Sequence, residues 1–384
     1  MFSSRLDWNL TANPLTRLLE RKRAAGAPIL DLTESNPTRA GLRYSSESVL
    51  GPFSDERSLR YDPTPAGLLE ARSAVARYYS SDIDVDRIVL TTSTSESYGF
   101  LFKLLANPGD EVLVPRPSYP LFEFLAALES VRVVEYPLVY HGAWAIDLDA
   151  LAAAVTPRTR AVMVVNPNNP TGSFLKKPEL ERLVAICDRH GLAIISDEVF
   201  ADYAFGEDPA RVRSLTGVKD VLAFSLSGLS KLCGLPQMKL GWMVASGPAE
   251  LRKRAVDRLE LIADTYLSVS TPVQWAAAAL LELREPMQRQ IRERVTGNLA
   301  FLKGRIGPGS PWSLLETEGG WYAIVQAPRI YSEEDWTMKL LEEENVLVQP
   351  GFFFDFEREA FLVMSLLTPT ECFREGVDRI LKRA

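Results

Sequence analysis

Ser225-Leu-Ser-Gly-Leu-Ser-Lys231-Leu-Cys-Gly-Leu-Pro-Gln-Met-Lys239-Leu-Gly241 follows directly on the apolar run Val221, Leu222, Ala223, Phe224. The pattern predicts a short buried strand emptying into an irregular loop rich in serine and glycine. A lysine beside a core strand is rare unless something pairs with it or uses its amine. A desolvated amine loses proton affinity and becomes a nucleophile, which is the chemistry of Schiff-base formation. By itself the segment also reads as a solvated loop lysine, so the rest of the chain decides.

Around this stretch, apolar runs at 87–91, 111–115, 131–136, 160–165, 192–196 and 221–225 alternate with amphipathic segments at 95–105, 121–128, 148–155 and 177–190. The runs are apolar throughout rather than alternating. That predicts an α/β fold, three layers with helices on both faces of a mostly parallel sheet. Upstream, Asn13-Pro14 opens a capped helix that closes at Gly26. After Trp242 the chain reads as mostly helical to 303, with a joint at 304–311. Strands at 321–325, 346–349 and 361–366 and helices at 333–344 and 371–382 then predict a smaller α+β unit. We expect a large domain over 46–284 and a small one built from 1–45 plus 285–384.

The 384 residues are 46% hydrophobic and 24% charged, with 43 basic against 50 acidic side chains and a net charge of −7. Without a run of like charge, no nucleic-acid footprint and no anionic-membrane patch is expected. No stretch is long and apolar enough to span a bilayer, and the first residues lack a signal core, so a cytoplasmic location is expected. Cys187, Cys233 and Cys372 are scattered, and His141 and His190 stand alone, so neither a disulfide framework nor a metal site is expected. Acid–base work falls to lysine, tyrosine or carboxylates.

Four further stretches sit where strands end. Thr91-Thr-Ser93-Thr94-Ser-Glu96 opens a helix, whose free N–H groups and positive dipole end suit one phosphate, though such a cluster is also an ordinary helix cap. It has neither the Walker pattern nor GxGxxG, so nucleotide folds do not fit. Val165-Asn-Pro-Asn-Asn169-Pro-Thr-Gly172 is a turn fixed by two prolines, able to aim Asn169 into the crevice at the strand ends. Asp197, in Ser196-Asp-Glu-Val-Phe200, either caps a helix or pairs with a cation. Tyr119, in Pro117-Ser-Tyr-Pro120, either stacks on a flat ring or covers the core.

Together with Lys231, these stretches resemble the class I/II aminotransferases, the fold-type I family dependent on pyridoxal 5′-phosphate. The match runs in order from about Leu32 to the C-terminus. Its most specific pieces are Asn168-Asn169-Pro-Thr-Gly172, Asp197-Glu198-Val and Ser230-Lys231 followed by Leu240-Gly241. The resemblance implies that Lys231 is catalytic, holding the cofactor as an internal aldimine and later shuttling a proton. It implies that Asp197 pairs with the pyridinium nitrogen, Asn169 bonds the ring hydroxyl oxygen and Tyr119 stacks on the ring. Ser93, Thr94 and Ser230 would hold the phosphate. Tyr61 would reach the phosphate of a neighbouring subunit, which implies a homodimer with shared active sites.

Three positions depart from the family pattern. Phe200 stands where the family has a tyrosine that bonds the ring oxygen, and this should raise the pKa of the internal aldimine. Lys239, eight residues past Lys231, replaces a phosphate-binding arginine and keeps the charge without the bidentate fork. Val363, in Phe361-Leu-Val-Met-Ser365, replaces the arginine that clamps the substrate α-carboxylate. Asn36, Arg39 and Arg43, in a loop the family folds over the site, and Arg358 are candidates to take over. The expected activity is transfer of an amino group between an amino acid or related amine and a 2-oxo acid by a ping-pong route. A lyase, decarboxylase or cyclase on the same cofactor is the alternative kept open by Val363.

Overall fold

A computed structural model describes residues 2–79 and 83–383. Its centre is an eight-stranded sheet in the order Ile88–Thr91, Gly241–Ser246, Ala223–Gly228, Ala193–Asp197, Thr159–Val165, Glu111–Arg116, Arg132–Tyr140, Trp144–Ile146. The five strands from Ala223–Gly228 to Arg132–Tyr140 run parallel. Gly241–Ser246 is antiparallel to both its neighbours, and Trp144–Ile146 forms an edge hairpin.

The central strands carry apolar residues at consecutive positions because neighbouring side chains serve different cores. Val112, Ala161, Met163, Ala193 and Ile195 meet the face covered by helices Thr94–Leu105, Leu121–Leu128 and Ala249–Tyr266. Leu113, Val162, Val164 and Ile194 meet Leu183, Ile186 and Cys187 of helix Lys177–His190 on the other face. Helix ends follow the expected chemistry. The Asn13 side chain accepts from the Thr16 amide at 2.8 Å, and helix Lys177–His190 stops at Gly191 in a left-handed conformation, φ 65°.

The C-terminal part holds a four-stranded antiparallel sheet of Ser313–Leu314, Tyr322–Gln326, Phe361–Ser365 and Gln349–Pro350. The short strand Leu30–Asp31 pairs with Val346–Leu347, tying the N-terminal segment to this part. Leu32 and Ala40 share one core with residues from Met287 to Ile380, and Phe200 and Tyr203 enter the same core from the large sheet.

Gly241–Ser246 is a strand that the sequence reading did not assign; the helices expected from 248 to 303 follow it as Ala249–Tyr266, Thr271–Glu282 and Arg284–Arg305. Trp242 and Val244 pack on one face and Met243 and Ala245 on the other, so this run is a buried strand of the kind seen elsewhere in the sheet. Its opening glycine belongs to the lysine loop, which hid the strand in the sequence. The two- and three-residue strands Ser313–Leu314 and Trp144–Ile146 are too short to carry a readable period.

Candidate active site

All five parallel strands point their carboxyl ends at one rim of the sheet, and the four motifs and Lys231 gather there, as such sheets dictate. They surround a cavity of about 670 Å³. Register explains the convergence. Thr91 pairs with Gly241 and Gly241 with Gly228, so three strands bring two loops together across a row with two glycines. A Cβ on Gly228 would fall 2.9 Å from the Leu240 carbonyl oxygen, and one on Gly241 would fall 3.0 Å from the Ser93 carbonyl carbon. Neither position has room for a side chain, and that closeness sets the Ser93 loop beside the lysine loop.

Lys231 lies in the short helix Leu229–Leu232 after strand Ala223–Gly228. The Tyr203 hydroxyl donates to the Lys231 carbonyl at 2.6 Å and holds its backbone. The amine lies 5.2 Å from the Trp321 ring centre and 5.8 Å from that of Phe200. Burial pushes the Lys231 pKa down, and the charge of Asp197 works against that. Across the cavity, burial pushes the Asp197 carboxyl up; the Val199 amide at 3.2 Å, the Tyr98 hydroxyl at 3.0 Å and the charge of Lys231 oppose it. A carboxylate held by two donors at the foot of a cleft, opposite an amine that sheds its proton readily, is a polarised pair of the kind found at reaction centres.

The proline turn leaves one asparagine unspent. Asn166 donates to the Val212 carbonyl and accepts from the Leu175 amide, and Asn168 accepts from the Thr171 hydroxyl, so both fix the turn. Asn169 faces the cavity with its side-chain oxygen buried and without a partner. Such an atom is costly unless a ligand meets it. Ser93 caps the helix Thr94–Leu105, accepting from the Glu96 amide at 3.3 Å, while Glu96 accepts from the Thr92 amide at 2.7 Å. The cap uses a lone pair on Ser93 and leaves its proton free to donate, so the capped helix end could also receive an anion. Thr94, Ser230 and Tyr119 also line the cavity. So does Lys239, which is exposed and held at φ 52°, a left-handed backbone that a side-chain-bearing residue rarely adopts.

Other expected residues lie elsewhere. Tyr61 is 79% exposed and lines a separate, small cavity with Asp62, Pro63 and Gln274. Asn36 and Arg39 do not line the Lys231 cavity; the Asn36 side chain closes a local turn by accepting from the Thr38 amide and hydroxyl. Arg358 belongs to an outer cavity with Arg329, Tyr331 and Asp335. Val363 is fully buried in the core beneath Phe354 and Phe356, while Phe353 and Phe354 reach the cavity and Phe352 does not. Phe200 is packed edge-on against Trp321 at 5.1 Å.

Sequence reasoning missed Tyr98, Tyr203, Ser35, Tyr322 and Gln349. Tyr98 had a signal: a tyrosine on the apolar face of the helix that starts at the anion loop needs a buried partner for its hydroxyl. Gln349 and Ser35 had none, because they are placed by strands from opposite ends of the chain.

The family model for aminotransferase class I and II matches residues 28–380. The chain is 30% identical over 359 residues to the glutamate–pyruvate aminotransferase AlaA of Escherichia coli, covering 89% of this chain and 87% of that protein. It is 27% identical to an alanine aminotransferase of Mycobacterium tuberculosis, covering 96% and 88%. A solved aminotransferase structure from E. coli superposes with a TM-score of 0.88 at 26% identity, over 100% of this chain and 97% of the other. An alanine aminotransferase from Pyrococcus furiosus shares the fold, with a TM-score of 0.88 at 24% identity over 100% and 99%. A match over nearly the whole length, on a site whose amine, carboxylate and anion loop converge on one cavity, shows that this chain is an aminotransferase and belongs to the class I and II family.

Proposed function

We propose that this aminotransferase uses pyridoxal 5′-phosphate and moves an amino group between an amino compound and a 2-oxo acid. The observation that carries the proposal is the placement of the Lys231 amine, depressed in pKa by burial, across one cavity from Asp197 and Asn169. The residues fit that cofactor. An unpartnered buried amide faces the cavity at Asn169, glycines 228 and 241 clear the backbone, and a helix N-terminus with free hydroxyls waits at Ser93.

When bound, the cofactor supplies an aldehyde and an electron-accepting ring that loosens bonds at the carbon carrying the amine. Lys231 Nζ, its proton affinity lowered by burial, would attach the aldehyde and hold the proton taken from the carbon that carries the amine. Asp197, whose charged form Tyr98, the Val199 amide and the Lys231 charge favour against burial, would hold a proton on the ring nitrogen. Asn169 would meet the ring oxygen alone, since Phe200 has no hydroxyl to share that bond. Ser93, Thr94, Ser230 and Lys239 would bind the phosphate, and Tyr119 would cover the ring.

Tyr61 does not line the Lys231 cavity of its own chain; it is exposed, as is Leu59 two residues before it, and the partly exposed Leu267 lines the same small cavity as Tyr61. This supports a homodimer in which Tyr61 reaches the phosphate site of the second copy. The division into a large domain over 46–284 and a small one from 1–45 plus 285–384 belongs to the same proposal. No helix among the described residues is long and apolar enough to cross a membrane.

The test is a half-reaction: cofactor-loaded protein given an amino donor and no acceptor. Conversion of the cofactor to its amine form, without release of ammonia, sulfide or carbon dioxide, supports transfer. Release of any of these with the cofactor unchanged rejects it.

A further inference from the structure

The cavity has two ends of opposite character. Lys231, Asp197, Asn169 and the Ser93 loop make one end, and Lys239 belongs to it because Gly241, two residues on, abuts Ser93. The other end is made by Tyr322, Gln349, Ser35, Phe353 and Phe354. Gln349 pairs in register with Val363, the position where the family resemblance calls for an arginine. What faces the substrate beside that buried valine is therefore an uncharged amide.

Among the described residues that line the cavity, no arginine restores the charge, and the cations are Lys231 and Lys239. Arg358 lies in the outer cavity, and the Arg294 guanidinium is turned to the carbonyls of Ala40 and Leu367. Tyr322, which lines the cavity, is pushed up to about 12 chiefly by burial; Ser35 lowers it, and Tyr119 and then Glu34 raise it further. A substrate carboxylate brought to this end would be stripped of water between neutral groups. Exchanging a charged donor for a neutral one forfeits roughly tenfold in affinity.

We infer that this end recognises the body of the substrate by uncharged contacts, and that an α-carboxylate is not a recognition element for this enzyme. Gln349 is the specificity-determining residue, and Phe353 and Phe354 offer a face for an aryl or alkyl group. Primary amines without a carboxylate are then donors on a par with α-amino acids. In that half-reaction the amine nitrogen and one hydrogen of the carbon that bears it would pass to the cofactor's aldehyde carbon, the aldehyde oxygen would return to the substrate carbon through water, and R–CH2–NH2 would leave as R–CHO. The inference rests on the amino-transfer reading, and a binding measurement separates the two.

Cofactor-loaded enzyme is titrated with 3-phenylpropionate and with 3-phenylpropanamide, neither of which carries an amine to react. The amide is expected to bind at least as tightly as the acid. Gln349→Arg should shift the ratio at least tenfold toward the acid, and Gln349→Glu should shift it away, with an unchanged bound-cofactor absorbance spectrum as the check that each variant is folded. L-Phenylalanine and 2-phenylethylamine should convert the cofactor with rate constants within about tenfold of each other. Wild-type binding of the acid 30-fold or more tighter than the amide would overturn the inference, because some other cation, one from a second copy included, would then hold the carboxylate. If both ligands bind and neither amine converts the cofactor, amino transfer fails while the binding ratio still decides this inference.

Discussion

Glu198 provides a stability prediction that needs no substrate. It is 3% exposed, directly behind Asp197 in the sequence but turned to the opposite side of the strand end. The Ser214 hydroxyl donates to it at 2.6 Å and the Leu215 amide at 2.9 Å. Burial outweighs these bonds and pushes its carboxyl up from 4.5 to about 7. Below pH 4.5 the group is neutral folded or unfolded. Between 4.5 and 7 the unfolded chain ionises first, so the stability that comes from keeping Glu198 protonated drains away as pH rises. At about 1.4 kcal/mol per pH unit this amounts to about 3 kcal/mol, most of it lost between about pH 5 and pH 8. In Glu198→Gln the amide oxygen still accepts from Leu215 and the amide nitrogen donates to Ser214, but nothing ionises. For a chain of this length the melting temperature of the variant should gain roughly 3 °C on wild type between those two pH values. Differential scanning calorimetry of both cofactor-saturated proteins measures this, and cofactor contributions common to both cancel. Parallel melting curves across the pH range would refute the placement of Glu198 as a buried, protonated group.

Four other outcomes follow from the site. Tyr98→Phe removes a donor to Asp197, so the acid limb of the pH–rate profile should move to higher pH; an unmoved limb would show that Asp197 does not need Tyr98 to ionise. Asp197→Ala should lower turnover about a hundredfold or more while the cofactor still binds, measured by single-turnover absorbance change. Lys239→Ala should weaken cofactor affinity by roughly tenfold, the value of one charge-assisted bond, in an equilibrium titration. Mixing inactive Lys231→Ala with Tyr61→Ala subunits should restore activity if Tyr61 acts across a dimer, and no recovery would place it outside the site.

The parts of the site legible in the sequence are those that local chemistry fixes. Asp197 and Asn169 end apolar strands, and the Ser93 loop opens a helix, so strand ends alone bring them to one rim. The glycine row at 228 and 241 could not be seen, because its need arises from strands that pair across the fold. Gln349, Ser35 and Tyr322 were hidden for the same reason: two short strands and a loop from both ends of the chain bring them together. Arg358 and Arg39 show the limit of charge counting. A charge missing at Val363 suggests a replacement cation nearby, whereas the fold places both arginines outside the cavity and an amide beside the gap.

The central claim is a covalent bond between Lys231 and an aldehyde cofactor. Sodium borohydride added to the cofactor-loaded protein, followed by proteolysis and mass spectrometry, tests it most directly. The account predicts a single pyridoxyl-modified peptide carrying Lys231, and none in Lys231→Ala. A modified peptide elsewhere, or wild-type protein saturated with cofactor and left unmodified, would contradict it.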